Sequence, residues 1–159
     1  MSSRDTFLAE LVDHLTARDV GHPLRVGVDG TCGSGKSTLA GELASVISAQ
    51  GRAAIHLDSD GFHNIRAIRY RRGRTSARGY LQVDRDIAVS RGVARDAAVL
   101  GGAVGARQAY EDRYMAACDI YVREERPAER ASILVAYDDL VNSRILRGVE
   151  SLSAELDRS

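Results

Sequence analysis

Lysine is almost missing from this chain: of 22 basic residues among 159, 21 are Arg and one is Lys36. Arg, Ala and Gly share GC-rich codons, so mutational bias accounts for lysine having gone wherever arginine serves. It leaves the retention of one lysine unexplained. Net charge is missing as well, because 22 acidic residues balance the basic ones. A neutral chain has no global attraction to nucleic acid or to an anionic membrane. Two cysteines, Cys32 and Cys118, are too few for a disulfide framework. Nothing at the amino terminus reads as a secretory signal, and no apolar run approaches the roughly 20 residues of a membrane span. The expectation is a soluble, cytoplasmic protein without a membrane partner. What is present is ordinary globular material, 44% hydrophobic and 28% charged, in a length suited to one domain with a real core.

Phe7, Leu8, Leu11, Val12 and Leu15 recur at helical spacing and predict a helix over about residues 4–18. Gly21-His22-Pro23 stops it, which divides the chain into an N-terminal helix (1–20) and one domain (21–159). Leu24 to Val28 reads as a buried strand, Ser37 to Gln50 as an amphipathic helix closed by Gly51, and Ala53 to Leu57 as a second strand. Residues 61–83 read as a basic loop: Arg66, Arg69, Arg71, Arg72, Arg74 and Arg78 occur there with no acid. Asp84 is placed to cap a helix running to about Leu100. A longer helix follows over about 103–125, carrying Tyr110, Tyr114, Cys118 and Tyr121. Ile133 to Tyr137 reads as a strand, and Ile145, Leu146, Val149, Leu152 and Leu156 as a terminal helix. Strands alternating with helices indicate an α/β fold with a mostly parallel sheet.

The sharpest signal is Gly30-Thr31-Cys32-Gly33-Ser34-Gly35-Lys36-Ser37, followed by Thr38. It satisfies G-x-x-x-x-G-K-[ST] between an expected strand and an expected helix. Glycines let backbone N–H groups turn onto phosphate oxygens, and the helix aims its positive end at the same anion. Lys36 supplies a compact charge on a flexible stem, which arginine's planar fork does not reproduce. The Ser37 hydroxyl suits Mg²⁺. These residues point to a nucleoside triphosphate such as ATP, bound with Mg²⁺, and they account for the one retained lysine. Cys32 occupies a variable position of the motif, with no zinc partner and no sign of nucleophilic use.

A magnesium–triphosphate site normally has a carboxylate at a neighbouring strand end. Asp58 and Asp60, after the expected second strand, fit better than Asp138 and Asp139, which read as solvated or capping acids. Arg91 and Arg95 stand i, i+4 on one helix, where they could clamp a phosphoryl group or simply pair with Asp96 and its neighbours. The run at 66–78 admits three uses: solvated loop, anionic-substrate contact, or single-stranded nucleic acid. The last ranks lowest, since only Phe62, Tyr70 and Tyr80 could stack bases. Among the histidines, only His63, just past Asp60, is placed to meet a substrate.

Val26-Gly-Val-Asp-Gly-Thr-Cys-Gly-Ser-Gly-Lys-Ser-Thr38, Leu57-Asp-Ser-Asp-Gly-Phe-His63 and Arg69-Tyr-Arg-Arg-Gly-Arg-Thr-Ser-Ala-Arg-Gly-Tyr80 together resemble the uridine kinase-like P-loop kinases, a group that includes phosphoribulokinase and pantothenate kinase. The resemblance runs from Leu24 to Leu140. It implies a three-layer P-loop NTPase sandwich and ATP-dependent phosphoryl transfer to a small-molecule hydroxyl, such as that of uridine or cytidine. It also implies that Asp60 accepts the hydroxyl proton, that Arg91 and Arg95 belong to a lid region over 84–125, and that Lys36 neutralises charge. Asp58 has no firm counterpart and stands as a candidate Mg²⁺ partner beside Ser37. The chain departs from the family between Tyr80 and Leu81, where several dozen residues, including an interior strand and most of the nucleoside pocket, have no equivalent. The sheet is therefore expected to be reduced in strand number, with its edges open to self-association. The alternative is a nucleotide binder, or NTPase, that has lost its acceptor pocket.

Overall fold

The computed structural model describes residues 2–17, 23–57 and 77–148. Helix α1 (Ser3–Thr16) opens on a reciprocal cap: the Ser2 hydroxyl accepts from the Asp5 N–H and the Asp5 carboxylate accepts from the Ser2 N–H. Its apolar stripe is buried at Phe7, Leu8, Leu11, Val12 and Leu15. Strand β1 (Val26–Gly30) leads through the glycine-rich loop into helix α2 (Lys36–Ala49), which buries Leu39 and Leu43. Then come β2 (Ala77–Gln82) and α3 (Arg85–Asp96), the latter capped by Asp84, whose carboxylate accepts from the N–H groups of Asp86 and Ile87. The long helical stretch is α4 (Gly102–Ala109), a π turn (Tyr110–Tyr114) and α5 (Met115–Glu125). A short α6 (Pro127–Arg130), β3 (Ile133–Ala136) and β4 (Arg144–Arg147) complete the described elements.

The fold is α/β. Its sheet has the order β1-β2-β3-β4, parallel between β1, β2 and β3 and antiparallel between β3 and β4. One face meets α1 and α2: Leu11, Leu15, Leu39 and Leu43 pack on Val28, Leu81, Ile133 and Val135. The space left between them is about 10 Å³, at the lower limit for a single water. Each large side chain buried in this core stabilises the fold by ~1.5–3 kcal/mol relative to exposure. A second cluster, Ala88, Val89, Tyr110 and Met115, joins α3 to the π turn and shares Val83 with the first.

Three expectations are corrected. Residues 53–57 do not form a strand: Ile55 and Leu57 are 85% and 71% exposed, and no described strand lies beside them to pair with. Residues 77–82, expected within the basic loop, are instead a strand flanked on both sides by parallel neighbours. Their alternation explains it, since Leu81 enters the main core, Tyr80 is buried on the other face, and Arg78 and Gln82 stay exposed. Residues 144–147 pair with β3 rather than opening a helix. Arg144 and Leu146 are exposed while Ile145 packs on the core, a period of two, and the Arg147 guanidinium donates to the carbonyls of Ala128 and Ala131. The rest of that expected helix, Val149, Leu152 and Leu156, lies outside the described residues. No helix among the described residues is long and apolar enough to cross a membrane.

Candidate phosphate-binding site

The loop between β1 and α2 takes its shape from two left-handed glycines. Gly33 has φ +77° and Gly35 has φ +92°. A methyl group on Gly33 would sit 2.1 Å from the Ala88 carbonyl oxygen of α3, and one on Gly35 would sit 3.0 Å from the Tyr137 ring. Glycine is thus required twice over, by backbone angle and by close approach. Within the turn the Ser34 N–H donates to the Thr31 carbonyl at 3.2 Å. The Lys36 ammonium folds back over the start of the loop and donates to the carbonyls of Gly30 (3.1 Å) and Thr31 (2.9 Å).

Helix α2 begins differently from its neighbours. α1 and α3 answer their first-turn N–H groups with carboxylates or hydroxyls of their own, whereas α2 has Gly35 at its cap, no side-chain cap bond and no acid in its first turn. The first N–H groups of any helix lie beyond reach of intrahelical carbonyls, and the helix dipole gives that end a positive potential. The hydroxyls of Thr31 and Ser34 are buried in the same loop with no hydrogen-bond partner among the described residues, and Ser34 is fully buried. A cationic side chain, a helix start without a side-chain cap bond and two hydroxyls unpaired among the described residues are groups of the kind that bind an anion with several oxygens. Ser37 and Thr38 lie exposed on the first turn beyond it.

Around the loop, two buttresses hold it. Tyr137, fully buried, lies against Gly35; its hydroxyl accepts from Arg4, which also bonds Glu42 and Ser143 and stacks over the Tyr137 ring. On the other side α3 presses on Gly33. The Asp29 carboxylate accepts from the Gly30 N–H (2.7 Å) and from the Tyr121 hydroxyl, which fixes the end of β1 to α5.

The expected site residues fall into three groups. Gly30 to Thr38, with Lys36, are together. Arg91 and Arg95 both lie on the helix packed against the loop, and both are engaged by protein acceptors. Arg91 donates to the carbonyls of Tyr137 (2.9 Å) and Asp138 (2.6 Å). Arg95 bonds the Asp96 carboxylate through two nitrogens (2.7 and 2.9 Å) and also reaches the Tyr110 hydroxyl (3.0 Å). Arg95 thereby holds the Asp96 carboxyl down to about 2, and burial together with Asp96 pushes Tyr110 up to about 12. Asp58, Asp60, His63 and arginines 66–74 lie outside the described residues; the strand expected to carry Asp58 and Asp60 is not formed up to Leu57. Asp138 and Asp139 act locally: Asp138 accepts from the Asp84 N–H, and Asp139 closes a turn by accepting from Val141 and Asn142. No metal-holding group of three or more His, Cys, Asp or Glu occurs among the described residues.

Sequence reasoning missed one contact at this loop. The Cys32 N–H donates to the Cys118 sulfur at 3.3 Å. Cys118 was visible only as one position on the tyrosine-bearing helix, 86 residues away. Compared with protein-family models, with curated proteins and with solved structures, the chain matches none of them.

Proposed function

We propose that residues 30–38 bind the phosphates of ATP, in a P-loop NTPase-type fold, and that the chain transfers the γ-phosphoryl group to the hydroxyl of a small molecule, a nucleoside such as uridine or cytidine. The observation that carries this reading is the Lys36 ammonium held on the Gly30 and Thr31 carbonyls of a loop whose helix has no side-chain cap bond, with the Thr31 and Ser34 hydroxyls of that loop unpaired among the described residues. On phosphate arrival Lys36 exchanges two carbonyl partners for phosphate oxygens, and the loop N–H groups take the rest. Ser37 is the residue placed to hold Mg²⁺, which when bound offsets the charge of the phosphates. Asp60 takes the hydroxyl proton by resemblance to the kinase family. A second reading, nucleotide binding without transfer, draws support from Arg91 and Arg95 being occupied by protein acceptors.

ATP titration of the wild type and of Lys36→Ala tests the site. The wild type binds and the variant does not; a wild type indifferent to ATP refutes both readings. Radiolabelled ATP with uridine, cytidine and other alcohols then separates them. Transfer that disappears in Asp60→Asn supports the kinase, and binding with no transfer to any acceptor selects the second reading.

A further inference from the structure

We propose that Cys32 and Cys118 are a redox pair, oxidised by peroxide to a disulfide that ties the phosphate loop to α5. The geometry is already that of a contact pair. The Cys118 sulfur accepts from the Cys32 main-chain N–H at 3.3 Å, which brings the two cysteines side by side, and no other cysteine exists to compete. Cys118 is buried and Cys32 is partly exposed at the loop.

The surroundings divide the labour between the two sulfurs. The hydrogen bonds from Cys32 and the nearby Lys36 charge push the Cys118 thiol down toward its thiolate, against burial and the Asp119 charge. Cys32, the donor to that sulfur, is pushed up, against Lys36 and Arg95. In the first step the Cys118 thiolate attacks a peroxide oxygen: a sulfur–oxygen bond forms, the oxygen–oxygen bond breaks, and the leaving hydroxide takes a proton to become water. Cys118 is now a sulfenic acid and no longer an anion, so the main cause holding the Cys32 proton is gone while Lys36 and Arg95 remain. The Cys32 sulfur then attacks the Cys118 sulfur. The sulfur–sulfur bond forms, the sulfur–oxygen bond breaks, and the departing hydroxide leaves as water with the Cys32 proton. Two thiols have given two electrons to one peroxide, and a dithiol reductant reverses the result through a mixed disulfide.

The link would pin residue 32 between Thr31, whose carbonyl Lys36 holds, and Gly33, which rests on α3. A loop fixed at both flanks and at its centre cannot adjust to incoming phosphates. This consequence rests on the phosphate-site reading; the linkage itself does not.

The experiment treats the full chain with hydrogen peroxide, then quantifies thiols after denaturation and maps peptides without reduction. Expected is the loss of both thiols in a monomer lighter by two hydrogens, with one cross-linked peptide joining Cys32 to Cys118, all restored by dithiothreitol. Cys32→Ser and Cys118→Ser each abolish the cross-link. Wild-type protein that keeps both thiols, stops at a sulfinic acid, or links only between molecules overturns the proposal. ATP titration of the reduced and oxidised forms follows. Oxidation should weaken binding roughly tenfold, within the usual range of coupling between sites. Equal affinity overturns the regulatory consequence, and no binding even when reduced overturns the phosphate-site reading while leaving the disulfide result in force.

Discussion

Replacing Gly33 by alanine should prise the phosphate loop from α3, and Gly51 supplies the control. The two glycines have nearly the same backbone angle, φ +77° and φ +78°. A side chain in that left-handed region costs ~1–2 kcal/mol at either place. They differ in surroundings. A methyl group on Gly51 meets nothing within 4 Å, whereas on Gly33 it lies 2.1 Å from the Ala88 oxygen, 3.0 Å from the Ala88 carbonyl carbon and 3.3 Å from the Gly92 nitrogen. Those are main-chain atoms inside α3 and cannot swing aside. An ordinary carbon–oxygen contact is about 3.3 Å, so loop and helix must part by about 1 Å. Overpacking of this kind costs ~1–3 kcal/mol. Gly51→Ala is therefore expected to lose ~1–2 kcal/mol and Gly33→Ala ~2–5 kcal/mol, the difference isolating the contact. Urea unfolding followed by circular dichroism measures both, provided the slopes agree. Equal destabilisation of the two variants, within ~0.5 kcal/mol, would refute the loop–helix contact.

Other sites give sharper single measurements. Gly92→Ala puts a methyl 2.2 Å from the ring of Tyr110, which is buried and held by Arg95 and Asp96, so thermal unfolding should show a loss of ~1–3 kcal/mol. Tyr137→Phe removes one acceptor of Arg4 and should cost ~1 kcal/mol in urea; Arg4→Met also leaves Glu42 without its partner and loses the ring contacts, and should cost ~2–3 kcal/mol. The reverse ranking would contradict the network. Because the Asp96 carboxyl is held below its ordinary 3.8, chiefly by Arg95, the stability it contributes is present above pH 3.8 and is lost as pH falls through about 2. The gap in urea midpoint between wild type and Arg95→Gln should accordingly close across that window; a gap that persists at pH 2 would assign Arg95 a different role.

Much of the fold was legible because its signals are local. Asp84 is a cap, the α1 stripe repeats at helical spacing, and the motif from Gly30 to Ser37 carries its own turn residues. The errors all concern strands, whose existence depends on a neighbour. Ile55 and Leu57 have strand-like side chains and no strand partner among the described residues, while Arg78, Gln82 and Arg144 look like surface and yet stand in the sheet. The site shows the same division. Spacing placed Arg91 and Arg95 on one helix and offered Asp96 as a partner, which Arg95 takes, but only the packed structure reveals that the carbonyls of Tyr137 and Asp138 engage Arg91. The pairing of Cys32 with Cys118 has no local signature at all.

The bond from Arg4 to Tyr137 spans 133 residues and that from Arg4 to Ser143 spans 139. Both lie behind the loop that the sequence announces so early. On the ribosome, residues 30–36 emerge long before the ring that abuts Gly35 has been translated. Contacts so remote in the chain form late and slowly. The glycine-rich loop is thus among the last parts of this protein to acquire its full surroundings, and a nascent chain stopped short of Tyr137 would carry the motif intact without its wall.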